Sequence, residues 1–303
     1  MDKENIFFSV VVPSYNRSEQ LLECLQALAL QEYDRGFFEV IVVLDGCDVP
    51  RDDRWERMNG DLRLTVLRQS HAGPAGARNM GASRARGRYL AFTDDDCLPA
   101  PDWLGCLAAR AAVSEGCAFG GKTVTALQGN IFSEASQLLV DYQYFFHTVN
   151  PGRLRFFTSN NLIVPIERFH AIGGFDTSYP LAAGEDREFC RRWQKNGFPM
   201  AYAPEAVVFH AHSMTTVSFV RQQFNYGRGS YLYHRAKSGR PRGFEPYSFY
   251  LKLFSYPFRQ PGGTRKLSIA CLFLVSQLFI LAGYLREAVV GCGAYRKLKY
   301  WRG

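Results

Sequence analysis

Four short apolar runs, separated by stretches of helical character, constrain the fold of this chain more than any other feature. Phe7–Val12 is a compact β-branched and aromatic run that ends at Pro13. Phe38–Leu44, Leu62–Leu67 and Arg88–Thr93 follow it. Between them, Ser18 is placed to cap a helix through LLECLQALAL, and Pro74 opens a second helix that reaches Ala85. Short apolar runs alternating with helices predict β-α-β units, hence a mostly parallel sheet covered by helices. Such sheets take their ligands at the carboxyl ends of the strands. Three polar motifs fall at those ends: PSYNR after the first run, DGCD after the second and DDD after the fourth.

The remainder is less regular. Residues 118–125 and 155–164 read as strands, and 130–147 as an unusually aromatic helix. Glu185–Asn196 reads as a helix closed by Gly197, with strands at Met200–Ala203 and Ala206–Phe209. A basic, aromatic helix covers 216–236, and SGRPRGFEP has the composition of a linker. The expected division is a domain over 1–236, with halves at about 1–115 and 116–236, and an extension over 237–303.

Charge separates the chain in two. Residues 1–210 hold 21 Lys+Arg against 26 Asp+Glu, a net of −5, while residues 211–303 hold 15 against two, a net of +13. A basic C-terminal third suits an anionic membrane, a phosphorylated acceptor or nucleic acid. Residues 267–285, LSIACLFLVSQLFILAGYL, carry no charge over nineteen positions, and as a helix they would be about 28 Å long. That run is expected to span a membrane, to lie in its interface, or to be buried, and it argues against nucleic acid as the partner. The eight cysteines form no CxxC pair, which points to single thiols in a reducing compartment and away from zinc. MDKENIFFSVVVP lacks a basic segment followed by a long apolar one, so no secretory signal is expected.

Asp94, Asp95 and Asp96 repel one another unless something positive compensates them. A hard divalent ion, Mg²⁺ or Mn²⁺, takes oxygen ligands and would do so; a solvated acidic turn with Asp102 is the plainer alternative. The series VVVPSYNR, EVIVVLDG, GPAGARNMGASRARGRYLAFTDDDC, GGFD and AGEDREFCRRW resembles glycosyltransferase family 2, in the family's order, over residues 7 to about 236. The resemblance implies a glycosyltransferase A-type, Rossmann-like, mostly parallel sheet flanked by helices, to which the charge and the apolar run add a C-terminal basic, membrane-associated extension. It also implies transfer of a sugar from a nucleotide-diphosphate donor to an acceptor hydroxyl with inversion. TDDDC matches the family's D-x-D signature, which assigns Asp96 to the metal, Asp94 to ribose or metal, and Asp95 to the donor site. The pair Glu185-Asp186 matches the catalytic base, Asp186 first and Glu185 next; helix capping is its simpler reading.

Other residues fit the same ligand. Pro13, Tyr15, Asn16 and Arg17 follow the first strand, where an aromatic face can lie beside a base. Asp45 can accept from the base's N–H edge, although the family's paired acids are replaced here by Leu44-Asp45. Arg78 can pair with the diphosphate, as can Arg228. His210 follows a strand and suits Mn²⁺ better than Mg²⁺. Asn161 falls where the family places an acceptor contact. Tyr144, within DYQYFFH, belongs either to an aromatic acceptor platform or to helical core packing. The RQQFNYGRG segment departs from the Q-x-x-R-W of processive members. The expectation is therefore a cation-dependent, inverting transferase at the cytoplasmic membrane face, peripheral or single-span, with a glycan or lipid-linked acceptor. A nucleotidyltransferase on the same sheet, or a non-catalytic binding module, are the competing readings.

Overall fold

The structure is a computed structural model describing residues 6–46, 54, 55, 58, 62–149, 156–179, 181–238, 245–260 and 265–299. Cys47 and Asp48 of the DGCD motif, most of the SGRPRGFEP segment and residue 155 lie outside the described residues. The chain divides into two compact units: one comprises Met1–Leu127, Gly152–Pro180 and Asp186–His212, the other Gln128–Pro151, Leu181–Glu185 and Ser213–Gly303. That division differs from the 1–236 and 237–303 split suggested by composition, because the basic helix after residue 212 groups with the C-terminal helices.

The first unit is built on an eight-stranded sheet. Its strands are β1 (Phe8–Ser14), β2 (Phe38–Asp45), β3 (Leu64–Gln69), β4 (Tyr89–Phe92), β5 (Cys97–Pro99), β6 (Ala118–Thr125), β7 (Leu162–Pro165) and β8 (Met200–His210). The order is β3-β2-β1-β4-β7-β6-β8-β5. β1 pairs in parallel with β2 and β4, placing Val10 beside Val40 and Ala91. Nearly every residue of β1, β2 and β4 is buried, as expected of parallel strands covered on both faces. The helices α1 (Ser18–Ala29), α2 (Gly73–Ala82) and α3 (Trp103–Val113) follow β1, β3 and β5. Leu21, Cys24, Leu25 and Leu28 of α1 and Trp103, Leu104 and Leu107 of α3 join the core with β1 and β2.

The sheet is more mixed than the apolar rhythm implied. β7 is antiparallel to both β4 and β6, and β5 is antiparallel to β8. The two strands expected at 200–209 are a single strand, whose register against β6 jumps from Gly121↔Ala203 to Lys122↔Val207. Pro204, which has no N–H for the ladder, falls within that bulge. β5 is three residues long and lies within what the sequence presented as an acidic turn.

The second unit contains α4 (Ile131–Val149), α7 (Thr216–Ser238), α8 (Tyr247–Arg259) and α9 (Lys266–Lys299); α5 (Ile166–Ala171) and α6 (Glu185–Lys195) precede β8. Its core joins Ala135, Tyr142, Phe146, Phe219, Leu253 and Phe273. The Tyr142 hydroxyl donates to the Phe249 carbonyl at 2.6 Å. The aromatic stretch 141–147 therefore supplies core packing through Tyr142 and Phe146.

Candidate active site

The turn after β1 sets one wall. Asn16 adopts φ 55°, a left-handed conformation that asparagine tolerates better than most residues. Arg17 then reaches the acidic cluster at the end of β4. Its Nη1 lies 3.1 Å from Asp95 Oδ1 and 2.8 Å from Asp96 Oδ2. The Ser14 hydroxyl donates to Asp95 at 2.8 Å. The cation that offsets two of the three aspartates is thus the chain's own arginine, with 44% of its side chain exposed.

Asp45, at the end of β2, is buried and occupied by protein donors. It accepts from Gln69 Nε2 and the Ala72 N–H, both at 2.7 Å, and from the Gly73 N–H at 2.9 Å. His71 Nδ1 lies 2.9 Å from Asp45 Oδ2, the oxygen that also accepts the Gly73 N–H. Asp45 thereby fixes the 69–73 loop. Gly46 permits this with φ 73°, and a Cβ there would collide with His71. The held loop stacks the His71 ring beside Tyr15, centroids 4.6 Å apart, and both rings are exposed.

The three aspartates have different partners and different proton affinities. Burial raises Asp95 to about 6 despite Arg17 and Ser14. At Asp96 burial also opposes charge, but the bond and charge of His210, with Arg17, hold its carboxyl well below the usual range. His210 Nε2 lies 3.2 Å from Asp96 Oδ1. The β5–β8 pairing explains this meeting: Cys97 registers with His210, and the Ala211 N–H donates to the Asp96 carbonyl at 2.8 Å. Burial works against protonation of His210, but Asp96 outweighs it and raises the imidazole. Burial lowers His212, which keeps that ring neutral. Asp96, His210 and His212 each offer a ligand atom, and these atoms lie within 4.8 Å of one another.

Asp94 turns the other way. Its Oδ1 accepts from Arg78 Nη2 at 2.7 Å. The Arg78 side chain is only 3% exposed and lies 5.6 Å from the Phe175 ring centroid. Arg78 is therefore buried and paired with Asp94 in this structure. Its charge also acts on Asp186, whose Oδ1 accepts the Arg187 N–H at 2.7 Å. Burial raises Asp186 to about 6, with Arg78 opposing and Asp94 reinforcing. Acids about ninety residues apart in sequence thus share one arginine.

Not every expected residue joins this group. Pro13 is the last-but-one residue of β1, half-buried and paired in register with Val43. Asn161 is wholly buried; its amide donates to the carbonyls of Lys122 and Ala206 and accepts from the Trp103 indole. In this structure Asn161 joins β6, β8 and α3 and does not reach the acidic group. Glu185 is buried beside the half-buried Asp186. In the second unit, Tyr144 is half-buried on α4, and Arg228 on α7 pairs with Glu287 at 2.5 Å. The sequence singled out neither Ser14 nor His71, and of the two histidines after the last strand it favoured His210 over His212. For His212 the signal was present, since the alternation H-A-H after a strand places two rings on one side.

The model of glycosyl transferase family 2 matches residues 9–171. Among curated proteins, the chain is 26% identical over 231 residues to glycosyltransferase AglE of Haloferax volcanii, covering 74% of this chain and 72% of that one. It is 30% identical over 226 residues to validoxylamine A glucosyltransferase of Streptomyces hygroscopicus, covering 65% and 54%. It matches only 16% of the length of a poly(ribitol-phosphate) β-N-acetylglucosaminyltransferase, TarS, of Staphylococcus aureus, at 36% identity over 29% of this chain. Among solved structures, a mannosyltransferase from Pyrobaculum calidifontis in complex with GDP-Man and Mn²⁺ superimposes with TM-score 0.60 at 19% identity, covering 97% of this chain and 81% of that one.

Proposed function

The chain belongs to glycosyl transferase family 2, and on that premise we propose that it is a divalent-cation-dependent, inverting enzyme using Asp186 as base. That it moves a sugar from a nucleotide donor follows from the family, which sets aside the nucleotidyltransferase and binding-module readings. The observation carrying the finer proposal is the Asp94–Arg78–Asp186 link beside the Asp96–His210–His212 cluster.

The ligand set fits a divalent cation. Asp96 is held ionised and His212 neutral, the forms in which each can donate to a metal, and a cation would take the place of the proton that Asp96 draws to His210. Two imidazoles and one carboxylate favour Mn²⁺ over Mg²⁺. A cation held there would offset the charge of the departing diphosphate. Arg17, already resting on Asp95 and Asp96, is exposed enough to turn toward the same diphosphate. Tyr15 and His71 offer two adjacent rings for a nucleobase.

In this reading, the acceptor hydroxyl oxygen attacks the anomeric carbon as its proton passes to Asp186. The bond from that carbon to the diphosphate breaks, and its electron pair leaves with the nucleoside diphosphate. A carboxylate raised to about 6 is still ionised at neutral pH yet more basic than a solvent-exposed one. One displacement needs one base, which supports inversion. The basic, apolar C-terminal region supports a workplace at the cytoplasmic membrane face and a lipid-linked or envelope-glycan acceptor. A panel of nucleotide sugars with Mn²⁺ or Mg²⁺ tests the proposal. The expected result is a cation-dependent rise in melting temperature and nucleoside diphosphate release with one donor. Full release in the presence of EDTA would refute cation dependence.

A further inference from the structure

Helix α9 is apolar on every side over Lys266–Val290, a length sufficient to cross a bilayer. A helix apolar all round is ordinarily buried in protein or in lipid. Here the two faces have different fates. Ile269, Phe273 and Ser276 are buried, the first two in the core shared with α4, α7 and α8. Gly227 of α7 and Gly283 of α9 bring the two helices into backbone contact, because a Cβ at Gly227 would strike the Ile280 carbonyl and one at Gly283 the Phe224 carbonyl. Arg228 pairs with Glu287 at 2.5 Å, and Tyr231 meets Tyr284 edge-on at 5.3 Å.

Among the described residues, the opposite face is uncovered. Leu267, Leu274, Leu278, Leu281, Leu285 and Val289 are all exposed. With the exposed Cys271 they recur in steps of three and four, which puts them on one stripe. Tyr247, Leu251 and Phe258 of the adjoining α8 are exposed as well.

We propose that α9 lies flat on an anionic membrane surface, its leucine stripe in the lipid and its other face on α7, without crossing the bilayer. This goes beyond the transfer chemistry and sharpens only the membrane-face part of the reading above. Spanning would require one of two costly steps. Either α7 follows α9 into the hydrocarbon with Arg221, Arg228 and Arg235, each costing several kcal/mol there, or α9 leaves α7, separates Glu287 from Arg228 and carries the Arg286–Glu287 pair into the bilayer. Lying in the interface keeps every one of these contacts and covers the stripe. A second copy is the other occupant that such a stripe could take. Charge decides against it: residues 211–303 carry a net +13, and Arg265, Lys266 and Arg286 adjoin the stripe. Two copies would bring like charges together, whereas anionic headgroups attract them.

The test is flotation of the full-length chain with vesicles of phosphatidylcholine alone or mixed with phosphatidylglycerol. Binding is expected to the anionic vesicles, to weaken with salt, and to be released by alkaline carbonate. Leu274→Glu with Leu278→Glu should weaken it by roughly tenfold or more, about 1.4 kcal/mol, while melting temperature and nucleoside diphosphate release stay at wild-type values. Arg259→Glu with Arg286→Glu leaves every leucine in place and should abolish the preference for anionic vesicles. Retention through carbonate would mean a span and would overturn the proposal. So would unchanged binding by the leucine variant, equal binding to neutral vesicles, or a lipid-free dimer that the leucine variant dissolves. Because nucleoside diphosphate release is scored separately, failure here leaves the catalytic reading standing.

Discussion

Asp186→Asn should remove transfer and stabilise the protein. The folded carboxyl is raised to about 6 from an ordinary 3.8, chiefly by burial. At neutral pH, ionised Asp186 therefore costs the native state about 3 kcal/mol, two units at about 1.4 kcal/mol each. Asparagine keeps an oxygen for the Arg187 N–H and carries no charge, but its new N–H₂ needs a partner, at about 1–2 kcal/mol. The net gain is about 1–2 kcal/mol, a rise in melting temperature of roughly 2–8 °C for a unit of this size. The pH dependence gives the sign. The native carboxyl holds its proton more tightly than the unfolded one, so stability falls as pH rises between about 4 and 6. The variant should be the more stable above pH 6, and the difference should shrink and reverse as pH falls toward 4, where protonated Asp186 no longer burdens the wild type. Thermal melts across that range measure it. The rate with wild type should rise with pH through about 6, and the variant should lose roughly 10²–10⁴-fold in kcat. A variant that melts at or below wild type at neutral pH, with no convergence in acid, would refute the burial argument. One that transfers sugar at the wild-type rate would refute the base.

Three further outcomes are expected. His212→Ala should weaken Mn²⁺ binding, read by electron paramagnetic resonance without donor, by roughly tenfold or more; unchanged affinity would remove His212 from the ligand set. Arg17→Gln strips the cation from Asp95 and Asp96, so its melting temperature should fall by roughly 2–4 °C and recover on adding Mn²⁺. A loss that Mn²⁺ does not repair would sink that account. Asn161→Ala leaves the Trp103 indole and two carbonyls without their partner and should cost about 2–3 kcal/mol. The KM of the folded enzyme for acceptor should not change.

How far the sequence could be read depended on whether a signal was local. β1, β2 and β4 were visible because strands buried on both faces are continuous apolar runs. Asp186 and the three aspartates were visible because each lies where a strand ends or a helix begins. β5 was not, since Cys97-Leu98-Pro99 gains strand geometry only by pairing with β8, over a hundred residues later. The same pairing delivers His210 and His212 to Asp96, so the full ligand set depended on a long-range register. Asn161 and Arg78 are the opposite case. Their residue types suggested ligand contacts, but burial had already committed each of them to protein partners. Nothing in the spacing of the sequence reports burial of a polar side chain.

The distribution of positive charge around the acids bears on how a donor would be admitted. Arg78 is buried and tied to Asp94, so its charge is fixed and acts on Asp186 whether or not a ligand is bound. Arg17 is exposed and bridges Asp95 and Asp96, so its charge can move. A cation placed on Asp96, His210 and His212 would compete with Arg17 for the same carboxylate and release it toward the solvent-facing turn that also carries Tyr15. Metal and guanidinium would then lie on the donor's diphosphate together, two positive groups where one had served the acids. Arg17→Gln should accordingly bind Mn²⁺ more tightly than wild type when no donor is present, because a competitor is gone. It should bind the nucleotide sugar more weakly once Mn²⁺ saturates, because a diphosphate partner is gone. Calorimetric titration of each ligand separates the two effects. Weaker Mn²⁺ binding by the variant would show that Arg17 supports the cation site and does not compete with it.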